Sequence, residues 1–243
     1  MRLPNVCLYP QKIVIIGGSS GIGLETAQKA IALGAQVIIA SRSEEKLNKA
    51  KELLGSQAQV YVLDTTNESE VQSFFEKLGS CDHLVISAAE TSGGSFLQSE
   101  TKQARALFEN KFWGQYHASK YGAPALSPNG SITLFSGVVA YKPMVGSALL
   151  GAVNAAISNL GQTLALELAP LRVNVVSPGI IDTPARSKMA EAARKQFYET
   201  VGEKLPVKRV GFAEEVAQSV LYLIQNPFVT GTVLHVDGGH RLT

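Results

Sequence analysis

The stretch KIVIIGGSSGIG, residues 12–23, decides how the chain folds. Its first half is a run of β-branched residues, typical of a buried strand, and its second half is a cluster of glycines. Three glycines suit a phosphate-binding turn: Gly17 for the tight turn, Gly21 for close approach of a pyrophosphate, and Gly23 for packing of the next helix. A helix that opens at Gly21 directs free N–H groups toward the phosphates. The stretch therefore predicts a dinucleotide-binding site.

Strand and helix patterns alternate outward from this turn. A helix-periodic segment follows it and ends at Gly34, a context that favours a dinucleotide site over an ordinary glycine-rich turn. Strict alternation predicts a parallel sheet with helices on both faces. The predicted fold is α/β, a single Rossmann-type doubly wound sheet of about seven strands. The predicted strands are 12–16, 37–40, 61–63, 84–86, 132–135, 173–176 and 233–236, and the later helices are 43–54, 68–78, 101–121, 147–168 and 213–224.

Composition limits the classes of protein to which the chain can belong. With 243 residues, 45% of them apolar, and no Pro- or Ser-rich linker, the chain is predicted to be one dinucleotide-binding domain spanning residues 1–243. The net charge of +2 is scattered without a basic stripe, which argues against nucleic acid and membrane surfaces as partners. We expect a small-molecule substrate instead.

Cysteine usage and apolar segments bear on the compartment. Cys7 and Cys81 fit neither a disulfide framework nor a metal-binding spacing, so we expect a reducing environment and no metal site. The N-terminal residues lack the apolar stretch of a signal peptide, and no window approaches the roughly 18 apolar residues of a membrane span. These features predict a cytoplasmic protein.

Two segments depart from the simple alternation. Residues 178–206 follow the sixth strand, where ligands bind in open α/β sheets, so they form either a substrate lid or a surface insertion. The helix at 147–168 is rich in small residues, which serve either packing against the sheet or a subunit interface. We expect a homodimer or homotetramer. The small residues are Ala148, Gly151, Ala152, Ala155, Ala156 and Gly161.

Four motifs resemble the short-chain dehydrogenase/reductase family in the same order and at matching intervals. They are GGSSGIG after the first strand, LDTTN after the third, LALELAPLRVNVVSPGIIDTP, and VTGTVLHVDGG near the end. The resemblance covers the chain from about Lys12 onward. It implies an oxidoreductase that transfers hydride between a nicotinamide dinucleotide and a small carbonyl, alcohol or activated alkene.

The resemblance also implies cofactor-binding residues. The glycine turn would line the pyrophosphate, Asp64 would accept from the adenine amino group with Thr65 beside it, and Thr183 would hold the nicotinamide amide. Asn154 can hydrogen-bond the nicotinamide ribose. The full set is Gly17, Ser19, Ser20, Gly21, Ile22, Ser41, Arg42, Asp64, Thr65, Ser87, Ala88, Asn154, Pro178, Gly179, Ile181 and Thr183.

The end of the second strand predicts which dinucleotide binds. Family members that use NAD carry an acidic residue there, which pairs with the ribose hydroxyls and repels a 2′-phosphate. This chain has Ser41 followed by Arg42, a hydroxyl and a guanidinium that suit a phosphate. The basic residue that many NADP-using relatives carry before Gly21 is Ser20 here, so the preference rests mainly on Arg42. We predict NADP (NADPH) rather than NAD.

The catalytic half of the family pattern is missing. The family's tyrosine and lysine, one helical turn apart, correspond to Leu150 and Asn154, and its serine and asparagine correspond to Gly137 and Lys111. Its Asn-Asn-Ala-Gly turn corresponds to residues 86–89. The catalytic residues are therefore unassigned from sequence. Weak candidates are Ser136, Lys111 and Tyr141, each with a structural role as the alternative.

Three functions fit these observations. The first is an NADP-dependent oxidoreductase with non-standard active-site residues. This is physically reasonable because acid–base catalysis supplies about 10²- to 10⁴-fold, and positioning of the reactants can supply as much or more. The second is a catalytically silent NADP(H)-binding sensor or partner subunit. The third, a structural protein that retains only the fold, leaves the phosphate turn unexplained.

Overall fold

The computed structural model describes residues 7–88 and 93–243. Its strands alternate with helices along the chain, as predicted. The strands are β1 (Lys12–Ile16), β2 (Gln36–Ser41), β3 (Ala58–Val62), β4 (Cys81–Ile86), β5 (Leu126–Phe135), β6 (Arg172–Pro178), β7 (Ile181–Asp182), β8 (Gly211–Phe212) and β9 (Val233–Val236). The α-helices are α1 (Gly21–Ala32), α2 (Glu44–Leu54), α3 (Glu68–Leu78), α4 (Thr101–Phe108), α5 (Gly114–Gly122), α6 (Ala148–Glu167), α7 (Glu191–Lys204) and α8 (Ala213–Gln225).

The main sheet is parallel throughout. In the described residues it has seven strands in the order β3-β2-β1-β4-β5-β6-β9, and β7 and β8 form a separate two-stranded pair. The predicted Rossmann-type α/β fold is therefore confirmed. The chain runs outward from β1 to β3 and returns to β4 on the other side of β1, so the strand order reverses between β1 and β4. Ligands bind at this reversal, outside the carboxyl ends of the strands.

Strand β1 shows why the sheet has helices on both faces. Ile13 and Ile15 are buried in one core with residues of α1, α2 and α8, whereas Val14 and Ile16 are buried in a second core with residues of α3, α5 and α6. Successive side chains of a strand point to opposite faces, so a strand with apolar residues at every position needs two covering layers. Each such side chain contributes about 1.5–3 kcal/mol when fully buried.

The helix predicted at 101–121 is interrupted, which corrects the sequence-based assignment. Residues Glu109–Trp113 form a π-helical turn between α4 and α5. The side-chain amide of Gln115 donates to the carbonyl of Lys111 at 3.1 Å and to that of Phe135 on β5 at 3.0 Å. The Asn110 amide donates to the Ala106 carbonyl at 2.8 Å. Side chains thus satisfy carbonyls around the widened turn, as in other π-bulges.

Helix α6 divides its small residues between two faces. A Cβ at Gly161 would lie 2.3 Å from Cγ2 of Val175, so this glycine lets α6 approach the sheet. Of the two predicted roles for these small residues, Gly161 therefore has the first, packing against the sheet. Ala148, Ala152 and Ala155 are exposed. In the described part of the chain, α6 alone is long and apolar enough for a membrane span, a test that core helices of soluble proteins also pass.

Candidate active site

The glycine turn joins β1 to α1 at the reversal of strand order. Gly17 has φ +90°, and a Cβ there would lie 2.5 Å from the backbone nitrogen of Ala88. A Cβ at Gly23 would lie 2.3 Å from the carbonyl oxygen of Gly17. Both positions therefore exclude any side chain, as a tight turn and a closely packed helix require. The turn after β1 and the turn after β4 touch each other here.

Gly21 differs from these two glycines because a Cβ there would clash with no other atom of the protein. Its φ is +55°, and a Cβ would meet only Thr183 Cβ at 3.6 Å, Thr183 Cγ2 at 3.7 Å and Pro184 Cδ at 3.8 Å. A side chain at Gly21 would project into the space between the phosphate turn and the start of the segment 178–206. This space is where the pyrophosphate is predicted to bind.

The N-terminus of α1 is prepared for an anion. Its N-cap Ser20 makes no side-chain capping bond, and its first turn contains no acidic residue. The first N–H groups of a helix lack intrahelical partners, and the helix dipole is positive at this end. Ser19 is half-buried in the turn, and Ile22 packs partly against the core. The predicted pyrophosphate residues are therefore together at one helix end.

The end of β2 supplies the predicted adenosine-phosphate groups. The Ser41 hydroxyl is buried without a hydrogen-bond partner among the described residues. Arg42 Nη1 donates to Oδ1 of Asn110 at 3.0 Å, which links the end of β2 to the π turn. No carboxylate stands at either residue of this strand end. These two residues therefore carry no negative charge that would repel a phosphate.

The residues after β3 are held by local bonds. Oδ1 of Asp64 accepts from the Thr66 N–H at 3.0 Å and from the Thr66 hydroxyl at 2.9 Å. The Thr65 side chain packs on α5, where a Cβ at Gly114 would lie 2.6 Å from Thr65 Oγ1, and His117 Nδ1 contacts the Thr65 carbonyl oxygen at 3.1 Å. Asp64 therefore stands at a fixed loop position, and Thr65 serves packing.

The turn after β4 is tied to β1. The backbone N–H groups of Ser87 and Ala88 both donate to the Ile16 carbonyl, at 2.8 and 3.1 Å, and the Ser87 hydroxyl donates to the same oxygen at 3.2 Å. Ser87 and Ala88 thus lie beside the glycine turn. The last residue of the family turn, Ala89, lies outside the described residues.

The predicted nicotinamide-amide residues mostly act through their backbone. The Gly179 N–H donates to the Val236 carbonyl at 3.0 Å, and a Cβ at Gly179 would lie 2.8 Å from Cα of Asp237. Pro178 ends β6, and the Ile181 side chain is buried in a core. Thr183 is half-buried opposite Gly21 and is the residue of this group whose side chain faces the phosphate turn.

The segment predicted as a lid begins at this point. It contains β7, a short helical turn at Pro184–Arg186, and α7. The Arg186 guanidinium lies 5.2 Å from the ring centre of Phe197, which connects that turn to α7. Whether the segment opens and closes over a ligand stays a prediction.

The residues that the sequence predicts at the family's catalytic positions lie around the carboxyl end of β5. The Ser136 hydroxyl donates to the Asn154 carbonyl at 2.8 Å and accepts from the Ser158 hydroxyl at 2.8 Å, so it faces α6. A Cβ at Gly137 would lie 2.8 Å from Nδ2 of Asn154. Oδ1 of Asn154 is buried and has no partner among the described residues. Leu150 is half-buried one turn earlier on α6.

Lys111 reaches the same strand end from the π turn. Its side chain is buried, and its Nζ donates to the Ser136 carbonyl at 3.2 Å. Burial lowers the pKa of Lys111 to about 8, because the charged form loses its hydration. Lys111 and Asn154 therefore flank one peptide unit, that of Ser136 and Gly137. Sequence reasoning placed both residues at family positions but had no signal for the burial of Lys111.

Two tyrosines lie away from this strand end. The Tyr141 ring packs edge-on against His235 with ring centres 4.6 Å apart, so it contacts β9 and not the strand end at Ser136. A Tyr-x-x-x-Lys spacing also occurs on α5, at Tyr116 and Lys120. Lys120 is exposed and pairs with Glu68 at 2.9 Å, and Tyr116 packs among aromatic neighbours of its own helix. This pair belongs to the surface of α5.

Comparison with known proteins agrees with the geometry. A family model described as enoyl-(acyl carrier protein) reductase matches residues 17–241. Carbonyl reductase family member 4 of Xenopus laevis is 31% identical over 236 residues, with 94% of this chain and 97% of that protein covered. The 3-oxoacyl-(acyl-carrier-protein) reductase FabG of Thermotoga maritima is 34% identical over 253 residues, with 98% and 99% covered.

Solved structures agree as well. A small-chain dehydrogenase in complex with NADPH has 36% sequence identity and a TM-score of 0.82, covering 96% of this chain and all of that one (100%). A structure described as a short chain dehydrogenase/reductase family protein has 30% identity and a TM-score of 0.89, with 98% and 100% covered.

A glycine turn at the strand reversal of a doubly wound sheet defines a dinucleotide-binding protein, and the relatives define the oxidoreductase class. The chain belongs to the short-chain dehydrogenase/reductase family. The family resemblance, the oxidoreductase class and a nicotinamide cofactor, all predicted from sequence, are confirmed at this level.

Proposed function

We propose that the protein is an NADPH-dependent reductase of small carbonyl compounds or activated alkenes, with non-standard residues at the reacting centre. The observation that carries the proposal is the glycine turn at the reversal of strand order, which leads into the N-terminus of α1, where no side chain caps the helix and no acidic residue stands in the first turn. Carbonyl reduction is also named for the relatives in Xenopus laevis and Thermotoga maritima. NADPH supplies a hydride when it is bound.

The preference for NADPH over NADH rests on the end of β2. Arg42 offers a guanidinium to a 2′-phosphate, and the buried Ser41 hydroxyl is without a protein partner among the described residues. Binding would exchange the amide oxygen of Asn110 for a phosphate oxygen. Calorimetric titration of the protein with NADPH and with NADH tests this preference. Equal affinities, or an unchanged NADPH affinity in Arg42→Ala, would remove its basis.

Three further groups of the chain would bind the remaining parts of the cofactor. The N-terminus of α1 would hold the pyrophosphate, Thr183 the nicotinamide amide, and Asn154 the ribose next to it, through the amide oxygen that has no protein partner among the described residues. Leu150 cannot exchange a proton. Reduction of simple ketones is therefore expected to be slow, and without the titration of a tyrosine–lysine pair.

A second candidate function is a catalytically silent NADP(H)-binding sensor or partner subunit. The specific observation in its favour is that Leu150 and Asn154 occupy the family's tyrosine and lysine positions while the phosphate turn is retained. The two functions differ in one measurable respect. A silent protein binds NADPH and forms no product from any carbonyl or activated alkene in a panel, whereas the proposed reductase forms product in proportion to NADPH consumed.

We further propose a cytoplasmic, single-domain homo-oligomer that acts on a small molecule. The exposed alanines of α6, Ala148, Ala152 and Ala155, would pack against a second subunit, giving a dimer or tetramer. Residues 178–206 would cover the bound substrate. Light scattering at micromolar concentration measures the assembly, and a monomer would exclude this interface.

A further inference from the structure

Lys111 is a buried cation without a counter-charge among residues 7–88 and 93–243. Among the described residues it forms no ion pair, and the acceptor of its ammonium group is the neutral Ser136 carbonyl. The cost of burying an ammonium group is offset in most proteins by a carboxylate or a metal-bound group. A buried lysine without such a partner requires another explanation, because Met would fill the same volume without this cost.

The surroundings of Lys111 are polar but uncharged. Ser136 and Gly137 on β5, Gln115 on α5, and Asn154 on α6 present carbonyls, amides and a hydroxyl. The other charged side chains of α4 and of the π turn are exposed, and among the described residues burial is the one cause that shifts the pKa of Lys111. No group that titrates in the same pH range therefore faces it in the described residues. The exposed charges are Lys102, Arg105 and Glu109.

The position of the ammonium group explains what it could bind. Ser136 and Gly137 form the carboxyl end of β5, at the edge of the sheet where ligands bind. A Cβ at Gly137 would lie 2.8 Å from Nδ2 of Asn154, so the glycine lets the Asn154 amide approach the peptide that Lys111 contacts. The lysine side chain has three rotatable donors, so Nζ can turn from the Ser136 carbonyl to an oxygen of a bound molecule.

We propose that Lys111 is a catalytic residue that binds the substrate oxygen while negative charge develops on it and then protonates it. The inference rests on the proposed reductase function. The carbonyl carbon accepts hydride from the reduced nicotinamide, and the electron pair of the C=O π bond moves to oxygen. Nζ of Lys111 gives that oxygen a proton, and the neutral amine regains a proton from water.

The proposal explains the features that structure alone does not. A preorganised cation in a water-poor site stabilises a developing oxyanion more than it would in water. A proton donor works best when its pKa lies near the working pH, and the pKa of Lys111, at about 8, meets this condition. Asn154, with its unpartnered Oδ1, would hold the cofactor ribose beside it.

The experiment compares the full-length wild type with Lys111→Met, Lys111→Arg and the exposed control Lys102→Met. NADPH affinity and turnover on a panel of ketones and activated alkenes are measured across the pH range around 8. We expect wild-type turnover to fall about tenfold per pH unit above the lysine midpoint. Turnover by Lys111→Met should be lower by about 10²-fold or more and should not fall across this pH range. Its NADPH affinity should stay within about threefold of wild type. Lys111→Arg should keep part of the wild-type turnover, and that turnover should not fall above the lysine midpoint.

A second readout does not depend on turnover. Protein labelled with ¹³C at lysine Cε gives an NMR signal for Lys111, identified by its absence in Lys111→Met. Butyrate, a carboxylate stand-in for the oxyanion, should bind and raise the midpoint of this signal, and Lys111→Met should bind butyrate at least tenfold more weakly.

The outcomes separate the two claims. Wild-type-like turnover, pH profile and butyrate binding in Lys111→Met, with product formed, would overturn the role of Lys111 and leave the reductase standing. NADPH binding without product in the wild type would overturn the reductase function, and the catalytic role with it. A melting curve shows whether Lys111→Met is folded. If it is not, the test rests on turnover by Lys111→Arg and on whether butyrate raises the midpoint of the Lys111 signal in wild type.

Discussion

Replacing Lys111 by Met should stabilise the protein at neutral pH, and the effect should depend on pH in a defined way. Burial lowers the pKa of Lys111 from 10.5 to about 8. Each pKa unit corresponds to about 1.4 kcal/mol, so charging this lysine in the folded protein costs about 3 kcal/mol more than in the unfolded chain. Below pH 8 both states carry the charge and the cost is fully present. Between about pH 8 and 10.5 the folded state releases its proton, and the cost disappears.

Urea unfolding of wild type, Lys111→Met and the control Lys102→Met at pH 7 and pH 10.5 measures this difference. The free-energy advantage of Lys111→Met over wild type should be about 3 kcal/mol larger at the lower pH, whereas Lys102→Met should show no such change. Taking differences between variants removes the contributions of other titrating groups. A gap between Lys111→Met and wild type that is the same at both pH values would refute the burial of a charged lysine.

Three further predictions follow from the site and the interface. Gly21→Val should abolish binding of NADPH and NADH while the fold survives, because a side chain there enters the space facing Thr183. Gly79→Val is the control, because Gly79 also has a positive φ and has open space around it. If calorimetry shows that both variants have lost binding, the cause is unfolding. Ala152→Glu should convert the oligomer to a smaller species in light scattering, and an unchanged mass would place the interface elsewhere. Leu150→Tyr with Asn154→Lys should raise ketone reduction with NADPH, and equal rates in wild type and the double variant would contradict it.

The structure bears on the double variant Leu150→Tyr with Asn154→Lys. Asn154 and Lys111 flank the same peptide unit, so a lysine at 154 would place two ammonium groups in one buried region. Like charges at this distance lower each other's pKa and destabilise the fold. The double variant should therefore melt at a lower temperature than wild type, and adding Lys111→Asn should restore its stability. A triple variant no more stable than the double variant would show that Lys111 is compatible with a second cation.

The parts of the fold that were predictable depend on local sequence. Strand β1 and the glycine turn after it could be predicted because each depends on residue type. β-Branched residues favour a buried strand, and glycine permits a positive φ. Gly161 shows the limit. Its place among the small residues of α6 left packing on the sheet and a subunit interface both open, because its contact with Val175 depends on how the helix lies on the sheet.

The sequence predicted which residues lie around the glycine turn, but it did not predict the surroundings of Lys111. Family positions located Lys111, but periodicity could not show the π turn, because α4 and α5 both keep helical spacing. The turn depends on the Gln115 amide reaching Phe135 on β5, which is a tertiary contact. The burial of Lys111 and its bond to Ser136 follow from that turn.

The central claim, an NADPH-dependent reductase with an atypical reacting centre, is tested most directly by product formation. Purified protein is incubated with NADPH and a panel of ketones, 3-oxoacyl thioesters and activated alkenes, and product is quantified against NADPH consumed. We predict slow, protein-dependent formation of one reduced product per NADPH with at least one of these classes, and a lower rate with NADH. Tight NADPH binding with no product from any class would contradict the account and favour the silent NADP(H)-binding protein.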